Sequence, residues 1–304
     1  MSTNQIRFGL DTFGDSTVDA QGNRQSDAQT IRNVVEQAVL ADKLDLDAFN
    51  VGEHHREDYA ITAPDTVLAG IATVTNKITL GTGVTVLSSD DPVRVYERFA
   101  TLDALSNGRA EITAGRGSFI ESFPLFGYNL NDYHALFEEK LELLVELFKE
   151  QPVTWSGTTR ASLTNQSVWP KTEGGRMPIR VGVGGSPESV VRAARLQLPL
   201  ALAIIGGDPA RFAPFAKLYR DQLREFGFDS NLPVSIHSPG YCSMYVRNPE
   251  TVAKKIAYAI NSLGAQRFDF KYSNGPVPHD RLMRNIELYA TEVVPRVKRM
   301  LAGA

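Results

Sequence analysis

The densest run of chemistry-bearing side chains is Phe49 to Arg56, FNVGEHHR. An apolar strand signal at Ala48, Phe49 and Val51 runs straight into Glu53, His54, His55 and Arg56. A carboxylate, two imidazoles and a guanidinium directly after a buried strand suit general acid–base work, since imidazole exchanges protons near neutral pH. A solvated loop with a chance histidine pair is the competing reading. Successive strand residues face opposite sides, so while the strand lasts at most one of the two histidines faces a given pocket. Adjacent histidines also chelate one ion poorly, and the single cysteine, Cys242, offers no thiolate cluster, so no metal site is expected. No G-x-S-x-G elbow is present, which argues against acyl transfer.

A second group is Gly184-Gly185-Ser186-Pro187-Glu188-Ser189. Glycines let a backbone approach a ligand closely, and free N–H groups and hydroxyls at a helix start suit a phosphate. Arg116 would add a charge-assisted partner. The same residues also read as a plain turn capped by serine. The P-loop lysine is missing, and Pro187 stands where the third glycine of a G-x-G-x-x-G would fall, so a dinucleotide fold is a poor reading. Gly81 and Gly83 interrupt the β-branched run ITLGTGVTVL, and glycine inside a strand marks close approach of a backbone or ligand. Together these features suggest a flat phosphorylated cofactor, which would carry the hard chemistry.

These groups need strands that end at one rim. Strand signals fall at Ile6–Leu10, Ala48–Val51, Ile78–Leu87, Ala110–Ala114, Ile179–Val183, Leu200–Ile205, within Val234–Val246 and at Arg267–Lys271. Helical spacing occupies Asp27–Leu44 (Asp27 as N-cap), Thr66–Thr75, Asp91–Leu105, Asp132–Glu150, the stretches ending at Gln197 and Phe226, Pro249–Ser262 and His279–Met300. Val153–Trp169 reads as a hairpin. Eight strand–helix pairs in alternation predict a single α/β domain over residues 1–304, a (β/α)8 TIM barrel with short insertions after strand 4 and before strand 5. Chemistry then collects where strands end, at Asp11–Phe13, Glu53–Arg56, Gly83–Thr85, Arg116–Ser118, Gly184–Ser186, Ile205–Gly207, Tyr241 and Lys271–Ser273.

The 304 residues are 42% hydrophobic and 22% charged, an ordinary globular balance. A formal net charge of -3 and the absence of a basic run argue against nucleic acid or an anionic membrane as partner. The N-terminus lacks the pattern of a signal peptide and no stretch has the length of a spanning helix, so a cytoplasmic protein is expected.

The segments FNVGEHHREDY, ITLGTGVTVL, DPVRVYERFATLDALSNGRAEITAGRGS, FPLFGYNLNDYHALFEEKLELL and VGVGGSPESVVRAA cover most of residues 6–200. In their types and order they resemble the bacterial luciferase-like flavin monooxygenases, most specifically from Pro92 to Gly117. The resemblance implies a barrel that binds FMN, often as a homodimer, in which reduced flavin and O2 oxidise a small substrate. It also implies a separate NAD(P)H-dependent flavin reductase as supplier of reduced FMN. By position, His54 resembles the family's catalytic histidine, with Glu53 beside it. Arg116, Gly185, Ser186 and Ser189 match its phosphate site, and Gly83 and Val84 its non-prolyl cis peptide under the flavin. His134 replaces a second phosphate-binding arginine, and either it or Tyr133 would take over that contact. The long segment that luciferases carry after the seventh strand is missing, so long-chain aldehyde oxidation with light emission is not expected. Other loops, 118–131 or 155–177, or a dimer partner would then enclose the substrate. Phe13, Phe119, Phe123, Phe126 and Tyr241 suit an apolar or aromatic substrate, although packing explains such residues equally. Two other readings stay open: hydride transfer with a deazaflavin on the same fold, and a flavin-binding protein without turnover.

Overall fold

The computed structural model describes residues 6–117, 119–240 and 248–303. Nine parallel strands form one sheet: β1 (Arg7–Thr12), β2 (Ala48–Val51), β3 (Thr79–Thr82), β4 (Thr85–Val86), β5 (Ile112–Gly115), β8 (Ile179–Val183), β9 (Leu200–Ala203), β10 (Val234–Pro239) and β11 (Arg267–Lys271). Their order is β3-β2-β1-β11-β10-β9-β8-β5-β4. The sheet nearly closes on itself, because Leu80 of β3 bridges Ala110, just ahead of β5, with Leu80 N–H donating to Arg109 O at 2.8 Å and Glu111 N–H to Leu80 O at 2.9 Å. Helices α1 (Asp27–Lys43), α2 (Pro64–Ala72), α3 (Pro92–Ser106), α5 (Tyr133–Leu147), α6 (Pro187–Arg195), α7 (Ala213–Glu225), α8 (Pro249–Leu263), α9 (His279–Leu288) and α10 (Val294–Ala302) accompany the strands. Covered on both faces, the strands bury nearly every residue, as parallel sheets do.

Local chemistry sets the helix ends. Asp91 caps α3 by accepting from the N–H groups of Val93 at 2.9 Å and Arg94 at 3.3 Å, with Pro92 in the first turn, and Asn107 ends the helix in the left-handed region. The Arg109 guanidinium then donates to the carbonyls of Ala72, Thr75, Ile78 and Ser106, tying the end of α2 to that of α3. In α1 the cap is Ser26 rather than Asp27: its hydroxyl accepts from Gln29 N–H at 3.2 Å, and Asp27 is the first helical residue.

Two other departures stand out. The run Ile78–Leu87 is two strands, β3 and β4, separated by a cis Gly83–Val84 bond. The last helix passes through a π turn at Tyr289–Val293, and Pro295, which lacks an N–H, sits in the first turn of α10. Strand β10 stops at Pro239, and residues 241–247, including Tyr241, lie outside the described residues, as does Ser118. The hairpin is present as β6 (Val153–Trp155) paired antiparallel with β7 (Leu163–Gln166), outside the main sheet. After β5 come α4 (Ser122–Leu125) and a 3-10 turn at Leu130–Asp132.

The interior of the sheet carries a charged layer. Glu111 accepts from Arg180 Nη2 at 2.8 Å and from Arg267 Nη1 at 2.9 Å. Asp269 accepts from Arg267 Nε at 2.8 and 2.9 Å and stands 3.4 Å from Arg180 Nη1, and Asn50 accepts from Arg267 Nη2 at 3.3 Å. All five are buried. Burial alone would raise the Glu111 pKa, but the Arg180 and Arg267 charges overcome it and hold the carboxyl at about 2. Its stabilisation is therefore present above the ordinary carboxyl range and lost as pH falls toward 2. Glu111→Gln leaves two buried guanidinium groups short of charge, and urea unfolding at pH 7 should show a loss of about 3–5 kcal/mol. A loss below about 1 kcal/mol would show that ion pairing does not hold this layer.

Candidate active site

Above the charged layer, at the C-terminal ends of the strands, lies a cavity of about 500 Å³. One end is cationic and hydroxyl-rich. Arg116 follows β5; its Nη1 is 3.3 Å from His134 Nδ1 and its guanidinium lies 4.9 Å from the centre of the Tyr133 ring. The Tyr133 hydroxyl donates to Gly117 O at 3.3 Å. Opposite, Ser186 caps α6: its hydroxyl oxygen accepts from Ser189 N–H at 3.3 Å, and the Ser189 hydroxyl lies 3.3 Å away. The Ser186 hydroxyl donates to Glu188 at 2.7 Å, and that hydrogen bond, helped by Arg116 and His134, holds the Glu188 carboxyl below its usual range. Arg116, Tyr133 and Ser186 all line this cavity, and the N–H groups of a helix start favour an anion.

The wall between is rich in glycine, and three of these positions, Gly83, Gly115 and Gly182, leave no room for a Cβ. A Cβ on Gly83 would lie 1.9 Å from Asp11 Oδ2. A Cβ on Gly115 or Gly182 would come within 2.6 or 2.9 Å of the Val84 side chain. A Cβ on Gly184 or Gly185 would meet nothing within 4 Å, which leaves open space over the backbone. A flat ring has room along such a wall.

His54 and His55 part company in the loop that follows β2, which ends at Val51. His54 lines the main cavity, its ring centre 4.3 Å from Phe13, 4.5 Å from Tyr59 and 5.4 Å from Phe119. Its Nδ1 is buried with no hydrogen-bond partner. Burial, reinforced by the Lys271 charge and by His55 and His237, pushes the imidazole down to about 3, so it is neutral at physiological pH. His55 turns into a second cavity of about 210 Å³, beside Phe126. Glu53 joins the two: Oε1 is 3.0 Å from His55 Nε2, and Oε2 accepts from Val86 N–H at 3.0 Å. Both Glu53 oxygens are thus engaged in fixing the loop to β4, while His54 is left free to act.

The geometry brings together Glu53, His54, Gly83, Val84, Arg116, Tyr133, Gly185 and Ser186 around one cavity. His134 and Ser189 support it from behind through Arg116 and Ser186. Of the aromatic residues, Phe13 lines the cavity, Phe119 packs on His54, Phe123 packs 5.6 Å from Tyr133, and Phe126 is exposed. Sequence reasoning did not single out His237, Arg180 or Asp269. The signal was the alternation in VSIHSP and RFDFK, where Ser235 and His237, and Arg267, Asp269 and Lys271, fall on one face of buried strands. Among the described residues no group of three or more His, Cys, Asp or Glu could hold a metal ion, and no helix is long and apolar enough to cross a membrane.

An α/β barrel-like sheet has its cationic, hydroxyl-lined cavity and a neutral histidine at the strand ends, where such folds carry their functional groups. The chain belongs to the luciferase-like monooxygenase family, whose model matches residues 12–295. It is 29% identical over 217 residues to the N-acetyl-S-alkylcysteine monooxygenase of Bacillus subtilis, covering 70% of this chain and 60% of that one. The matches to curated relatives span 30% to 63% of those proteins' lengths. Among solved structures, the monooxygenase RslO1 of Streptomyces bottropensis has a TM-score of 0.83 at 22% identity, covering 95% of this chain and 99% of that one. The oxygenating constituent of 3,6-diketocamphane monooxygenase from Pseudomonas putida, in complex with FMN, gives 0.78 at 16% identity, covering 96% and 98%. An F420-dependent secondary alcohol dehydrogenase gives 0.74 at 17%, covering 96% and 99%. At these identities the structures are alike in fold.

Because His54 must be neutral to stay buried, the folded state binds fewer protons there than the unfolded chain between about pH 3 and 6.5. Stability then rises with pH over that window. On moving from pH 7.5 to 5, the wild type should lose about 2 kcal/mol relative to His54→Asn in urea unfolding. Parallel stability curves would refute the burial of a neutral imidazole.

Proposed function

We propose that this protein is an FMN-dependent monooxygenase that uses reduced flavin and O2 to oxidise a small organic substrate, with reduced FMN supplied by a separate NAD(P)H-dependent reductase. The observation that carries this reading is the single cavity that joins the anion grip to the glycine wall and to His54. Arg116, Tyr133, Ser186 and the first turn of α6, backed by His134 and Ser189, would hold the phosphate. Gly83, Val84, Gly184 and Gly185 would bound the ring. The orphaned Nδ1 of His54 and the open backbone at Gly184 and Gly185 fit such a ligand. When bound, reduced flavin supplies the electrons that activate O2. His54, neutral, would accept or orient a proton at its free Nδ1, with Glu53 holding its loop in place. Phe13, Tyr59 and Phe119 exclude water around it.

The fold counts as an eight-stranded barrel if β3 and β4 are taken as one strand broken at Gly83–Val84, with the α4 segment and the β6–β7 hairpin as its insertions in a single domain. A homodimer in the cytoplasm is part of the same proposal. Hydride transfer with a deazaflavin is the second reading, favoured by the fold shared with the F420-dependent dehydrogenase.

Anaerobic titration with oxidised FMN, reduced FMN and a deazaflavin, followed by admission of air, separates the two. Tightest binding of reduced FMN with O2 consumption supports the monooxygenase; tightest binding of the deazaflavin without O2 uptake moves the protein to hydride transfer. Arg116→Ala should weaken FMN about 10–100-fold, the worth of a charge-assisted hydrogen bond, and riboflavin about three-fold at most. Equal losses for both ligands would remove Arg116 from the phosphate site.

A further inference from the structure

The inner end of the cavity holds a pair of groups not yet given a role. Asp11, at the end of β1, is fully buried, and its Oδ2 lies 3.4 Å from His237 Nδ1 on β10. The other ends of the two side chains, Asp11 Oδ1 and His237 Nε2, are buried without a hydrogen-bond partner. Both residues line the cavity. Buried polar atoms are rarely left unpaired, so two of them on neighbouring side chains that line one cavity call for a polar partner there. The His237 ring is held by Phe13, stacked at 5.7 Å with an interplanar angle of 4°, and Asp11 abuts the Gly83–Val84 bond.

We propose that Asp11 and His237 form one proton-sharing pair that hydrogen-bonds the inner edge of the bound flavin ring and supplies the proton that His54 cannot carry. This rests on the flavin reading above. The proton count is simple. With one proton between Oδ2 and Nδ1 and another on Nε2, the pair is neutral overall and shows the ligand a donor at Nε2 and an acceptor at Oδ1. Transfer of the Nε2 proton to the ligand leaves a pair of net charge −1 that shows two acceptors. One proton thus reverses one of the two contacts.

The charged surroundings bear on which form persists. Asp269 and Lys271 of β11 act on Asp11 in opposite directions, and Lys271 is itself paired with Asp15 at 3.0 Å. His54 faces the pair from the loop after β2, Tyr272 from the end of β11, and Arg180 from β8, where Glu111 and Arg267 complete the layer beneath. Burial is the largest influence on Asp11 and raises its carboxyl above the usual range, with His237 opposing it. A low dielectric favours the neutral pair, the form able to give up a proton through Nε2.

Two measurements test this. The first uses the ligand-free protein: 15N NMR of the five histidine side chains, with His237→Gln to assign the signal. Asp11→Asn should change the tautomer that the His237 Nδ1 and Nε2 resonances report, since the hydrogen bond at one ring nitrogen sets the proton on the other; unchanged resonances overturn the pair. If Asp11→Asn does not fold, Asp11→Ser serves the same arm. The second is the Kd of oxidised FMN for wild type and His237→Gln from pH 5.5 to 8.5. Effects of the phosphate and of His134 are common to both proteins and cancel in the ratio. The wild type's advantage should fall by up to about ten-fold per pH unit once the pair loses its proton. A flat ratio overturns the ring contact even where the NMR arm holds. Failure of the wild type to bind FMN at all removes the flavin reading and the ring contact with it, while the NMR arm still decides whether the pair exists.

Discussion

The buried layer of Glu111, Arg180, Arg267 and Asp269 is the constraint on which the rest of the structure depends. It draws residues from β8, from β11 and from the lead into β5 to one point, with Asn50 of β2 at its edge. An apolar filling could close a ring of strands from many side-chain combinations. Four charges in low dielectric tolerate one arrangement, because each must meet its counter-charges or leave an ion stranded. Arg180 and Asp269 also line the cavity. The layer that fixes the register is therefore also the floor of the site, and the polarity of that floor is set by folding before any ligand arrives.

Above the floor the site separates into two jobs with different electrostatics. At the rim, Arg116, Ser186 and the helix start stay within reach of water, so positive charge is retained cheaply for an anion. Within the wall, burial penalises charge on His54 and on Asp11, and both are driven toward their neutral forms. The same desolvation thus removes a proton from a base and leaves one on an acid. Two side chains of opposite type are brought to readiness for proton exchange by one cause.

How far this was legible in the residues follows from the range of each signal. Alternation of strands and helices, the Asp91–Pro92 cap and the Gly-Gly-Ser turn are local patterns, and each stands where its chemistry predicts. The divergence of His54 from His55 occurs in the loop beyond β2, so strand alternation matched the outcome without being its cause. Less legible were features that need distant partners. His237 sits within a run that reads as an ordinary strand, and only its approach to Asp11, far away in the chain, gives it meaning. The break between β3 and β4 was anticipated from family resemblance and not from propensity, since ITLGTGVTVL is favourable to a strand throughout. Glu53 looked like an acid or base by its neighbours, yet its oxygens are engaged with His55 and Val86, which no reading of the segment alone could show.

Val84 is wedged against the positions where Gly115 and Gly182 would carry a Cβ. These three residues come from three separate strands or strand breaks, yet sterically they are one unit. In the course of divergence neither glycine can gain a methyl group while the valine remains, and only glycine at 84 would free both at once, because the Val84 Cβ itself would lie 2.9 Å from a Cβ on Gly115. The wall of this cavity therefore has a permitted order of change: position 84 must move first, and descendants that keep valine there inherit both glycines with it.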